Sequence, residues 1–270
     1  MTKFLKISAA VALVSVAAAS FASAGLNAGG SANLYWSSTL TGAPILGAPG
    51  RNSTSALPNA MVTVKGLNNF RGCDVQLVIN ALDGGAVPAA WQAQSGGCAE
   101  GTLTFRVGGG VASKNPFTTA PAVMGVVPSQ NGENYGTGDC RTPHGVGLYW
   151  LSAAGANGGA RNPATEYTLW VINFDMHAVD PLDGVTPCEG GADDPAGPRG
   201  ICINPNFRIP CNDLQRGAAC AILDGNLDVD YYGFGNATQW VTWNATGSQA
   251  CPGVTASKAA TWGGIKKLYK

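Results

Sequence analysis

The chain has 270 residues with 16 Lys or Arg against 16 Asp or Glu, a formal net charge of zero, and charged residues make up only 12% of it, about half the usual share. At 45% hydrophobic with seven Trp it is too apolar for a disordered chain, and its 38 Gly follow no three-residue period, which excludes a collagen triple helix. Basic residues never run more than two together, so the electrostatic footprint of a nucleic-acid binder is missing.

The chain opens with Lys3 and Lys6, continues through an apolar run from Ile7 to Phe21, and reaches the small-residue triplet Ala22-Ser23-Ala24. This order is that of a secretory signal peptide over residues 1–24, with an apolar core too short for the roughly 20 residues of a membrane-spanning helix. The expected mature chain begins at Gly25, carries no transmembrane segment, and is secreted or held at the extracellular surface. Residues 25–250 are expected to form one β-sandwich domain, and 251–270 a linker and a short basic and apolar tail.

Period-two alternation then recurs: Ala32, Leu34 and Trp36; Val75, Leu77 and Ile79; Leu103, Phe105 and Val107; Val146, Leu148 and Trp150; Tyr167, Leu169 and Val171. Each set would line one face of a strand. Met61 to Val64, Ala122 to Val127, Ile201 to Ile203, Ala221 to Tyr232 and Gln239 to Trp243 are further strand candidates, and Gly-rich clusters such as Asp83-Gly84-Gly85 and Asn157-Gly158-Gly159 supply turns between them. Many short strands with Gly and Pro punctuation predict an all-β fold, an antiparallel, jelly-roll-like β-sandwich over about Ser31 to Ala245. Pro128 to Gly145 and Met176 to Gly200 are too long for hairpin turns and read as long loops.

Eight cysteines follow the leader: Cys73, Cys98, Cys140, Cys188, Cys202, Cys211, Cys220 and Cys251. An even set in an exported chain predicts four disulfides and no free thiol, with the local pairs Cys188 with Cys202 and Cys211 with Cys220 the easiest to close. The densest set of oxygen ligands is Asp224-Gly225-Asn226-Leu227-Asp228-Val229-Asp230, where Asp224, Asn226, Asp228 and Asp230 recur at every second position in a manner suited to Ca²⁺. The EF-hand pattern then fails at Val229 and Gly235. On a strand the same spacing would put the four polar groups on a solvated face and turn Leu227, Val229 and Tyr231 inward. Asp175, Asp180, Asp183, Asp193 and Asp194 form a second, looser acidic group.

Only His144 and His177 supply imidazoles, and neither a G-x-S-x-G elbow nor an H-E-x-x-H helix occurs. Tyr231, Tyr232, Phe234, Trp240 and Trp243 gather late in the β region and offer either core packing or an aromatic binding face. Trp240 and Trp243, three apart, would point to opposite sides of a strand. In the tail, Trp262, Ile265 and Leu268 lie at i, i+3 and i+6 with Lys266, Lys267 and Lys270 in other directions, as in an exposed docking element or a segment folded back on its own domain.

From Val62 to Leu77 a strand, a polar turn with Phe70 and Gly72, and an alternating strand succeed one another. This stretch resembles the early strands of cohesin-like and carbohydrate-binding-module-like sandwiches of bacterial exported proteins, and the tail from Thr261 to Lys270 is similar to short C-terminal motifs of secreted bacterial proteins. The resemblance implies extracytoplasmic binding or assembly and carries over no functional residue. The sequence therefore leads to a non-enzymatic exported or cell-surface binding or structural module, whose ligand is a glycan or another surface protein. A secreted carbohydrate-active enzyme with a carboxylate pair in a cleft is the alternative.

Overall fold

The computed structural model describes residues 25–37, 52–92, 98, 104–108, 112–117, 121–129, 145–152, 159–205, 220–234, 240–246, 249 and 251. Within them lie β1 (Ser31–Ser37), β2 (Asn52–Ser53), β3 (Asn59–Lys65), β4 (Asn69–Phe70), β5 (Gly72–Ala81), β6 (Thr104–Val107), β7 (Pro121–Ser129), β8 (Gly145–Ser152), β9 (Gly159–Ala160) and β10 (Tyr167–Asn173). The order closes with β11 (Ile201–Pro205), β12 (Cys220–Leu223), β13 (Val229–Tyr231), β14 (Gly233–Phe234) and β15 (Val241–Trp243). The helical elements among the described residues are two 3₁₀ turns, Ala89–Trp91 and Ala112–Lys114, and no helix there is long and apolar enough to cross a membrane. The five alternating runs fall on β1, β5, β6, β8 and β10, with Leu103 outside the described residues.

Two sheets face each other. The smaller has the order β14-β1-β3-β10-β6, and the larger follows β13-β12-β5-β11-β15-β2, with β8 on the other edge of β5 and β7 beyond it. The long strand β5 organises the larger sheet: Gly72 to Val75 pair with β12, Leu77 to Ala81 pair with β11, and β8 runs along the opposite edge. Among the described residues nearly all pairings are antiparallel, the exceptions being β1 with β14 and β15 with β2. The fold is thus an all-β sandwich.

One hydrophobic cluster spans both inner faces. Ala32, Leu34 and Trp36 of β1 and Ala60, Val62 and Val64 of β3 meet Cys73, Val75, Leu77 and Ile79 of β5, Ile201 and Ile203 of β11, Cys220 and Ile222 of β12, and Val241 and Trp243 of β15. The Trp36 indole N–H donates across the sandwich to the Thr242 carbonyl at 2.7 Å, so this buried polar group is satisfied by the opposite sheet. Strand β10 departs from simple alternation. Its pairing with β3 slips between Thr168 and Trp170, and this bulge turns Trp170 and Ile172 into the core beside Tyr167 and Leu169. Val171, expected on the Leu169 face, lies instead with Tyr35 and Met61 in a separate cluster.

The expected local disulfides do not form. Cys188 is bonded to Cys98 with Cα atoms 5.8 Å apart, and Cys202 to Cys251 at 5.4 Å. Strand parity explains the second pairing: Ile201 and Ile203 face the core, whereas Cys202 is absent from that cluster and meets Cys251 instead. Cys251, one residue beyond the expected domain boundary, is thereby covalently part of the sandwich. Cys220 is a buried thiol inside the core rather than a partner for Cys211, and Cys140 and Cys211 lie outside the described residues.

Burial, with the Asp74 carboxylate second, pushes the Cys220 thiol far above its ordinary range. Native protein is therefore expected to resist alkylation at Cys220 even at pH 9 and to label there once denaturant opens the core. In the unfolded chain a thiol ionises near pH 8.5, whereas the folded one stays protonated, so the unfolded state gains as pH rises above about 8.5. Replacing Cys220 with Ala should flatten that limb of the stability curve. Fast labelling of Cys220 in native protein, read by peptide mass mapping, would contradict its placement.

Candidate functional site

The acidic repeat forms the hairpin between β12 and β13. Asp224 is fully buried, and its carboxylate Oδ1 accepts the Asn226 and Asp228 N–H groups at 2.8 and 3.0 Å while Oδ2 accepts the Leu26 N–H at 2.9 Å. Asp230 Oδ2 accepts the Asn27 N–H at 2.9 Å. Asn27, also buried, takes the Asn68 and Asn69 N–H groups on Oδ1, both at 2.9 Å, and Asn69 Oδ1 accepts from Gly225 N at 2.8 Å. Three turns, at residues 25–30, 66–69 and 224–228, are therefore held by one set of bonds. At their junction Gly66 has φ of +90° and passes so close to Gly30 that a Cβ on it would stand 2.7 Å from the Gly30 Cα.

Oxygens of the acidic repeat meet backbone amides. The carboxylates of Asp224 and Asp230 are engaged by backbone amides, Asn226 is exposed, and no group of three His, Cys, Asp or Glu side chains converges to hold a metal among the described residues. The expected facing of the hairpin is inverted as well. Leu227, Val229 and Tyr231 are exposed, Leu227 with φ of 71°, whereas Asp224 and Asp230 turn toward the residue 25–30 turn, whose N–H groups require acceptors.

The aromatic group serves mainly as core. Tyr232 is buried with its hydroxyl donating to the Gly66 carbonyl at 3.0 Å, and Phe234 lies at the edge of the same cluster. Trp243 packs edge-on against Trp91 at 5.4 Å and donates its indole N–H to the Ser55 carbonyl at 2.7 Å. Trp240 is half-buried just before β15. Tyr232, Phe234 and Trp243 therefore lie in the core rather than on an open face. Trp262 and the rest of the tail lie outside the described residues.

The second feature is the segment from Met176 to Gly200, in which, with Asp175 just before it, several acids organise local turns. Asp175 Oδ1 accepts His177 N, Asp180 Oδ1 accepts Leu182 N, and Asp183 Oδ1 accepts both Val185 N and Thr186 N, all between 2.8 and 2.9 Å. Asp194 receives Gly190 N and Ala196 N. The loop is closed by the Val179–Pro187 bridge, the Cys98–Cys188 disulfide, the His177–Asp193 pair at 2.7 Å, and Arg199, which reaches Asp83 at 2.8 Å and Glu189 at 2.9 Å. At its tip Leu182 is 92% exposed and Val185 77% exposed, with Val179 partly exposed beside them. These apolar residues were absent from the expected site. Their signal was two large apolar side chains set singly among Asp, Pro, Gly and Thr in Asp180-Pro181-Leu182-Asp183-Gly184-Val185-Thr186.

No protein-family model matches the chain, and neither does any curated protein. Among solved structures the chain is similar to the sixth cohesin of scaffoldin B from Acetivibrio cellulolyticus, solved with a Cel5 dockerin, at 11% identity and a TM-score of 0.35, over 80% of this chain and 99% of that one. It is also similar to a type II cohesin domain from the cellulosome of the same organism, at 13% identity and a TM-score of 0.35, over 79% and 95% of the two chains. The chain's own geometry, and not these overlaps, carries the functional reading.

The Asp193 carboxylate beside His177, with Asp175 further off, raises the imidazole above its usual range. The expected titration of His177, followed by NMR, has its midpoint above 6.5 and returns toward that value in Asp193→Asn. Below that midpoint the ion pair is present, and it is lost as pH rises through it. Both side chains are half-exposed, so global stability should barely respond. A midpoint that Asp193→Asn leaves unmoved would show that the loop is not closed by this contact.

Proposed function

We propose that the protein is an exported binding module that presents the Met176–Gly200 loop to another protein. The observation that carries this reading is the exposure of Leu182 and Val185, at 92% and 77%, on a turn whose backbone amides at 182, 185 and 186 are each fixed by an Asp side chain. An apolar side chain held in water by an already ordered backbone loses little conformational freedom when a partner covers it. Burying a Leu or Val in a partner's groove contributes about 1.5–3 kcal/mol. Asp180, Asp183 and Glu189 around the tip favour a partner whose groove has a basic rim.

A protein ligand fits this surface better than a glycan. Sugar stacking requires an open aromatic face, and Tyr232, Phe234 and Trp243 are interior. A leader at residues 1–24 would deliver the chain to an oxidising compartment, and the Cys98–Cys188 and Cys202–Cys251 disulfides among the described residues fit such a compartment.

The test compares the exported full-length protein with its Leu182→Asp, Val185→Asp double variant. Retention on the producing cell's surface should fall about tenfold or more, corresponding to the loss of at least about 1.4 kcal/mol. The melting temperature should move by less than about 2 °C, since neither side chain packs in the core. Unchanged retention, or glycan-array binding that the double variant preserves, would overturn the protein-docking role of the loop.

A further inference from the structure

The carboxylates of Asp224 and Asp230 are unusual in this protein because they are turned inward without a cation. Among the described residues the ion pairs are His177–Asp193, Arg199–Asp83 and Arg199–Glu189, and neither Asp224 nor Asp230 takes part in one. Asp224 is fully buried. A buried carboxylate held only by neutral amides lacks the counter-charge that most offsets its desolvation. The segment that lies on these two acids is Gly25-Leu26-Asn27, through the Leu26 and Asn27 N–H groups.

Gly25 stands against Asp230 itself. A Cβ on Gly25 would fall within 2.9 Å of both carboxylate oxygens, so a side chain there would force the Asp230 carboxylate to move. The Gly25 nitrogen is two bonds from that Cβ position and therefore about 5 Å or less from the nearer oxygen. Directly before Gly25 stands Ala22-Ser23-Ala24, the small-residue pattern at which a leader endopeptidase cuts. Two independent features, the cleavage pattern and the acidic receptor, thus coincide on the Ala24–Gly25 bond.

We infer that Asp224 and Asp230 form the receptor for the α-ammonium group of Gly25, which leader cleavage creates. This rests on the export part of the functional reading above and is independent of the loop tip. A leader endopeptidase hydrolyses the Ala24–Gly25 amide with one water: the carbonyl carbon of Ala24 takes the oxygen and leaves as a carboxylate, and the Gly25 nitrogen takes both water protons as an ammonium. One neutral N–H donor becomes a cation with three. It stands within about 5 Å of the Asp230 carboxylate, and it is one residue from Leu26, whose N–H donates to Asp224, so both carboxylates gain a nearby counter-charge. The acidic hairpin is accordingly a lock for the mature N-terminus, which explains why its carboxylates turn toward residues 25–27 and leave Leu227, Val229 and Tyr231 outside.

Three forms of the mature chain test this: one beginning at Gly25, one acetylated at Gly25, and one extended by Ala22-Ser23-Ala24. Intact mass of the exported protein first establishes its N-terminus. The free Gly25 form should melt about 2–4 °C above the other two at low salt, and Asp230→Asn should erase that difference, since it keeps an acceptor for Asn27 N but removes the charge. A second readout does not depend on stability. Acylation of the Gly25 amine at neutral pH should be about tenfold slower in the native protein than in Asp230→Asn, as expected for an amine whose ionised form is favoured by about one pKa unit. An exported chain beginning elsewhere than Gly25 overturns both the leader reading and the lock. A chain that begins at Gly25 yet melts and acylates identically with and without the Asp230 charge overturns the lock alone.

Discussion

Asp224 carries a carboxylate with no exposure to water at one end of the sandwich. Taking such a group out of water costs several kcal/mol, and hydrogen bonds to its lone pairs offset part of that cost. Three backbone N–H groups occupy them, two from its own hairpin and one from Leu26. The geometry of the hairpin, the path of residues 25–30 and the position of Asn27 over the 66–69 turn all follow from those bonds. Moving any one of these turns would leave a buried acceptor or donor without its partner, at about 1–3 kcal/mol each.

The opposite demand shapes the rest of the molecule, where bulky apolar side chains must fill the space between two sheets. Trp36, Trp91, Trp170 and Trp243 are all nearly or fully buried. The bulge in β10 is a consequence: with strict alternation Trp170 would face outward, and one extra residue against β3 returns it and Ile172 to the interior. The Met176–Gly200 loop is anchored to this core by Met176, Ala178 and Cys188, and beyond those anchors Asx turns, one disulfide and Arg199 supply its order.

What could be read from the chain depended on the range of the interaction involved. The strands were legible because Ala32, Leu34 and Trp36, or Val75, Leu77 and Ile79, repeat with a period that only a half-buried strand requires. Tyr167 to Asn173 is nearly continuous in apolar residues, so its parity was ambiguous and the bulge left no mark. The Cys98–Cys188 bond joins residues 90 apart, and proximity in sequence favoured the wrong partner for Cys188. The acids from Asp224 to Asp230 were visible as a cluster, yet which side they face is decided by Leu26 and Asn27, about 200 residues away. Burial of the late aromatics was equally undetermined, because Tyr232 and Trp243 satisfy their polar atoms on Gly66 and Ser55, both distant in the chain.

The way the Met176–Gly200 loop is closed also sets its mechanics. Any tension applied at Leu182 divides between two limbs. One enters the sandwich through Met176 and β10, where backbone hydrogen bonds resist it. The other reaches Cys188, where it passes into a covalent bond to Cys98 before it can load the stretch from Glu189 to Gly200. A pull on the tip is thus carried by a chemical bond on one side, and the weak link under force is the Val179–Pro187 bridge and the turn above it. The loop tip would stretch by a few residues and then stiffen, as a tether with a built-in stop.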